Sequence, residues 1–162
     1  MHVVVGIDPG IARTGYGVLD LDGSSYRALT YDCIYTPAGA SPTERLRLLF
    51  HQLTDVFRTY QVQEVAVEQL FFNRNVSTAL VVGQARGVAL LAATEAGAEV
   101  FEYTPLQVKQ ATTGQGRASK QQVQFMVRAI LGLAEVPKPD DVADALAVAL
   151  CHCHNRRGAS AI

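Results

Sequence analysis

MHVVVGIDPGIARTGYGV (residues 1–18) decides the fold and raises the first chemical question. Three valines, a glycine and an isoleucine read as a buried strand over His2–Asp8, and a Pro-Gly-containing turn leads to a second strand over Thr14–Leu21. Asp8 closes a segment built for the interior. A lone buried carboxylate is costly, so it is normally paired, protonated or bound to a metal. The rest of the chain has to supply its partner.

Downstream, Asp22-Gly23 signals a turn and Tyr26–Thr36 reads as a third strand, which completes a meander. Helices then alternate with strands. Residues 41–60 carry Ser41 as N-cap, Pro42 in the first turn and Glu44 three residues after the cap, the pattern of a capping box. Leu46, Leu49, Phe50, Leu53, Val56, Phe57 and Tyr60 make one apolar face there.

A short buried strand over 62–69 ends near Glu68. A long helix over 75–97 follows, with Gly97 as its stop, and a strand spans 98–104. In the long helix, Ala79, Gly83 and Gly87 are one turn apart, a small-residue face suited to close approach of a sheet or another helix. Thr104 and Pro105 open a short helix that runs into TTGQGRAS. Ser119 and Gln122 cap the next helix, and residues 140–154 form the last. The order βββαβαβααα predicts an α/β domain with a mixed sheet and helices on its faces.

Four carboxylates stand at the ends of these elements. Asp8 and Glu68 close strands, and Asp141 and Asp144 share a face in the first turns of the last helix. If the first strand is central and the next parallel strand lies beside it, Asp8 and Glu68 meet, and the last helix brings its pair across. Such a cluster repels itself at neutral pH. Divalent cations relieve the repulsion, and oxygen-only ligation suits Mg²⁺ or Mn²⁺ rather than zinc. Two ions about 3.5–4 Å apart clamp the attacking and leaving oxygens of a phosphodiester. Taken singly, each acid also has a plain structural account as a helix-dipole, turn-cap or ion-pair residue.

With 162 residues the chain has length enough for one domain with a substantial core. Fourteen Lys and Arg against fifteen Asp and Glu, net charge -1, give no global signal for nucleic acid, so a DNA-binding face would have to gather its basic residues locally. Three cysteines (Cys33, Cys151, Cys153), no signal peptide and no apolar run of membrane length point to reduced thiols, a cytoplasmic location and no membrane partner.

These segments resemble the RuvC Holliday-junction resolvases. GIDPG with TGYGV resembles the family's first motif and AVEQLFFNRN its second. VGQARGVALLAA is similar to its central helix, VKQATTGQGRASKQQVQFMV to its glycine-and-lysine segment, and DDVADALAVALCHCH to its acidic C-terminal helix. The likeness spans almost the whole chain, with the motifs in order. It implies an RNase H-like fold over residues 1–162 and a homodimer. It also implies a Mg²⁺-dependent endonuclease, with two ions per subunit and Mn²⁺ as a substitute, that nicks four-way DNA junctions symmetrically. Catalytic and metal-binding roles fall on Asp8, Glu68, Asp141 and Asp144. Spacing alone does not choose Asp141 over Asp140; the family's D-x-x-D pattern does.

The likeness further implies DNA contacts by Lys109, Lys120 and Phe71, and a branch-migration complex as partner. Arg13, Arg74 and Arg117 are additional basic candidates, and the role of Phe72 stays open. Lys120 opens a helix, where free N–H groups favour phosphate. Two further readings stand beside this one. GIDPG also resembles the start of actin-like ATP-binding domains, and the same fold serves as a non-catalytic junction binder. The CHCH run at 151–154 offers too few ligands on one face for a structural zinc site and reads as part of the fold.

Overall fold

Alternation along the first strand sets the layers. The computed structural model describes residues 1–71 and 75–162. Its strands are β1 (His2–Asp8), β2 (Arg13–Asp22), β3 (Ser25–Tyr35), β4 (Glu64–Glu68) and β5 (Glu99–Tyr103). Its helices are α1 (Pro42–Thr59), α2 (Val76–Glu95), α3 (Pro105–Thr113), α4 (Lys120–Leu131) and α5 (Asp140–Asn155). The strands form one mixed sheet in the order β3-β2-β1-β4-β5. β1 is central, antiparallel to β2 and parallel to β4. The RNase H-like expectation of five strands with helices on both faces therefore holds.

Side chains on a strand alternate between faces. Val3, Val5 and Ile7 enter the core shared with α1 and α2, through Leu49, Leu53, Phe57 and Ala89. Val4, Ala66, Phe101 and Tyr103 enter the opposite core with Val108, Val127 and Leu146 of α3, α4 and α5. By that parity Asp8 and Glu68 belong to the α3–α5 side.

Capping chemistry matches the helix starts with one change. The Ser119–Gln122 box is complete, and Thr104 and Gln107 form a second one. At α1, Ser41 accepts from the Glu44 N–H, but the Glu44 carboxylate turns to Arg47 at 2.9 Å instead of closing a box. A charged donor one turn away outcompetes a backbone N–H.

α5 is the most buried helix, with every residue from Val142 to His152 buried except Asp144. Glycines make this burial possible. A Cβ on Gly6 would stand 2.8 Å from Ala149 N, and one on Gly15 2.8 Å from Val142 N. The helix backbone thus lies directly on β1 and β2.

α2 departs from expectation in two ways. Ala85, Ala89, Ala92 and Ala93 are buried in the core shared with α1 and the sheet, whereas Gly83 and Gly87 face open space. An 18-residue stretch of it reaches a mean hydropathy of 1.5, so, contrary to the expectation of no apolar run of membrane length, it is long and apolar enough by length and composition to cross a membrane. Arg86 is the one Lys or Arg in this stretch. In the fold Arg86 pairs with Glu102 of β5.

Candidate active site

Parallel pairing of β1 with β4 runs to Ile7 and Val67, so the next residues, Asp8 and Glu68, emerge side by side at the carboxyl end of the sheet. α5 crosses this end and presents Asp144. The three acids line a cleft of about 260 Å³ with Lys109 of α3 and Lys120 of α4, floored by Val108 and Val148. Asp141 stands one turn earlier. It lies in a neighbouring groove with Gly10, Ser77 and Thr78, 3.4 Å from Arg13 Nε.

Electrostatics mark the cluster. Burial, then the charges of Asp144, Asp141 and Glu68, raise the Asp8 carboxyl to about 7 against the lowering effect of Lys120. Burial and Asp144 raise Glu68, with Lys109 opposing. Burial also raises Asp144, against Lys120. These are acids that resist being charged together, as expected where burial and like charges coincide.

Lys120 answers part of that charge. Its Nζ lies 3.3 Å from Asp140 and 3.5 Å from Asp144. Asp140 also accepts from Gln124 at 3.2 Å. Asp140 is thus turned toward Lys120, while Asp141 faces Arg13. The structure separates two neighbours that helical spacing alone leaves equivalent.

Oxygen-only donors, a repelling set of acids and the buried Oδ2 of Asp141, near Arg13 but without a hydrogen-bond partner among the described residues, fit hard divalent cations. Among the described residues, no three His, Cys, Asp or Glu side chains are already gathered into a ligand cage.

The remaining sequence candidates divide. Phe71 is 60% exposed beyond Glu68. Arg117 is exposed in the loop before α4. Arg13 is half-exposed and paired with Asp141 rather than standing clear of the acids. Arg74 and Phe72 lie outside the described residues. In the CHCH run, Cys151 and His152 are buried, and His154 packs edge-on against Tyr26.

Sequence reasoning missed the partnership of Asp140 with Lys120 and the glycine seats under α5. The latter had a visible signal, the Gly-x-Gly of residues 15–17 set opposite Gly6 by hairpin register.

Residues 4–152 match the family model described as crossover junction endodeoxyribonuclease RuvC. A relative of that description from Heliobacterium modesticaldum is 59% identical over 153 residues, covering 94% of each chain. The Thermus thermophilus RuvC structure is 42% identical with a TM-score of 0.90, covering 99% of both chains. A T. thermophilus RuvC structure in complex with Holliday junction substrate is 40% identical with a TM-score of 0.89, covering 100% of both.

Proposed function

The chain belongs to the RuvC family of crossover junction endodeoxyribonucleases, and from that premise we propose that it resolves four-way DNA junctions by paired, cation-dependent nicks. One observation carries the reading. Two strand-end acids and a helix acid share a single cleft flanked by two lysines. The T. thermophilus RuvC complex with Holliday junction substrate, of the same fold and length, supports the choice of substrate.

Asp8, Glu68, Asp141 and Asp144 would hold two Mg²⁺ or Mn²⁺ ions, which supply activation of water and neutralisation of the leaving 3′ oxygen. The chain's own side chains do the rest. Burial, then the neighbouring acids, raise the Asp8 carboxyl to about 7, so a cation held beside it would favour its charged form and displace its proton. Lys109 and Lys120 take the phosphates on either side of the scissile bond. For Lys120 this means exchanging Asp140 and Asp144 for DNA. Phe71, already solvent-facing, stacks on or wedges against a base at the junction centre. Arg13, Arg74 and Arg117 extend the phosphate contacts.

A two-fold symmetric substrate calls for two sites related by a two-fold axis, so the active form is a homodimer. α2 is its natural seam. Leu80 and Leu91 are exposed on it, and Gly83 and Gly87 leave room for a second helix. In this reading residues 1–162 act as one nuclease domain, and a branch-migration complex delivers the junction. The ATP-binding reading is not favoured, since residues 4–152 match the RuvC family model.

The test incubates the protein with a synthetic four-way junction or a linear duplex, in Mg²⁺ or in EDTA. Paired symmetric nicks confined to the junction and lost in EDTA are expected. A gel shift without cleavage would instead make the chain a binding module, and ATP hydrolysis would favour the kinase-like reading.

A further inference from the structure

Glu68 sits on β4 and Asp144 on α5, so the spacing of the acids depends on the axial register of these two elements. α5 runs antiparallel to β1 and β4. Its first turn, at Asp141 and Val142, lies over Gly15, which pairs with Asp8, while Ala145 and Ala149 lie over Gly6. Leu146 lies over Gly17, so much of this contact is apolar side chain and helix backbone packed on glycine.

Directional bonds stand at the far end. His152 of α5 is 0% exposed. Its Nε2 lies 2.8 Å from Glu64 Oε2 on β4, and its Nδ1 lies 2.7 Å from the Tyr103 hydroxyl on β5. A carboxylate only accepts, so Nε2 carries the proton. Burial holds the imidazole neutral against the pull of Glu64, which leaves Nδ1 to accept from Tyr103. The ring also packs on Phe101 with centroids 4.4 Å apart. Burial would raise Glu64, but hydrogen bonds from Arg156 and His152, with His2 close by, hold it at about 2. Arg156 Nε reaches its two oxygens at 3.0 and 2.8 Å. Glu64 is therefore a fixed, charged post.

We propose that the Glu64–His152–Tyr103 cluster is a register pin that positions the acids of the cleft at the opposite end of the same elements. Glu64 and Glu68 share one face of β4, about 13 Å apart at strand rise. Asp144 and His152 lie on α5, about 12 Å apart at helix rise. Two antiparallel rulers of nearly equal length are joined at one end, and this brings Glu68 and Asp144 level at the other. Without the pin, α5 can shift along the sheet, and cation sites and nucleophile geometry tolerate such shifts poorly. The inference rests on the reading that Glu68 and Asp144 hold cations. His152 touches neither substrate nor ion, so it is a positioning residue.

The test measures Mn²⁺ binding to DNA-free protein by calorimetry, beside junction cleavage and junction binding in EDTA. His152→Leu removes both bonds at similar volume. A 10–100-fold loss in Mn²⁺ affinity and in kcat is expected, as for groups that orient metal ligands, with junction binding in EDTA unchanged. His152→Gln, which keeps a donor toward Glu64, recovers part of the loss. Tyr103→Phe is a milder probe and shifts both readouts the same way. Leu53→Ala in α1 lowers stability without touching the pin and keeps wild-type Mn²⁺ affinity below its melting temperature. Wild-type Mn²⁺ affinity in His152→Leu and Tyr103→Phe, or an equal loss in Leu53→Ala, overturns the pin and leaves the cation site standing. Absence in the wild type of Mn²⁺ binding that Asp144→Asn abolishes overturns both.

Discussion

Asp8→Asn tests whether the cleft stores repulsion that cations later release. In the folded chain Asp8 is raised from the ordinary 3.8 to about 7, mainly by burial and then by its acidic neighbours. A raised carboxyl binds its proton more tightly folded than unfolded. Its contribution is fully present below about pH 4, is lost as pH rises toward 7, and changes little above that. At roughly 1.4 kcal/mol per pH unit the ceiling is about 4 kcal/mol.

Asp8 is only partly buried and Lys120 opposes the repulsion, so about 1–3 kcal/mol is the working figure. Asn has nearly the same shape and no charge. In EDTA, Asp8→Asn should match the wild type near pH 4 and melt about 4–8 °C higher above pH 7.5, taking about 2 kcal/mol at this chain length. Mg²⁺ should then raise the wild type and leave the variant nearly unmoved. Thermal unfolding followed by circular dichroism from pH 4 to 8.5 reads both effects. A gap that stays constant across that range would refute the reasoning, because only a titrating Asp8 makes it grow.

Asp144→Asn should abolish cleavage while a gel shift shows junction binding intact, since the ligand set is broken and the lysines remain. Lys109→Ala and Lys120→Ala should each weaken junction binding and lower the salt slope by about one, read from binding isotherms at several salt concentrations; an unaltered slope would remove that lysine from the phosphate contacts. Gly6→Ala should cost about 3 kcal/mol or more in urea unfolding, because the added methyl meets the α5 backbone rather than a movable side chain. Phe71→Ala should slow cleavage of the junction with little change in binding to linear duplex, measured side by side.

Local pattern carried much of the architecture. Alternation in residues 2–8, the Asp22-Gly23 turn, the Ser119 box and the stop at Gly97 each act within a few residues, so a reader of the chain can find them. The Glu44 expectation went astray for the same reason in reverse: its competitor, Arg47, sits within reach on the same helix and carries a full charge. The small-residue stripe of α2 was legible as a face, but not which layer it would meet; Ala85 and Ala89 were buried in the core, and Gly83 was left open.

The site divides along the same line. Acids at element ends are visible in the order of residues, because a carboxylate closing an apolar strand needs a reason wherever the strand goes. Their meeting is not visible. It required β1 to lie beside β4 and α5 to settle on glycines of β1 and β2. The turning of Asp140 to Lys120 and Asp141 to Arg13 likewise depends on side chains brought from distant segments. So does the bond from Glu64 to His152, 88 residues away. Chain order dictates which groups are charged and which elements carry them. Only packing, through strand order and helix register, sets the few ångströms over which those charges repel, pair or share an ion, because Coulomb energy and hydrogen bonds depend on distance in space.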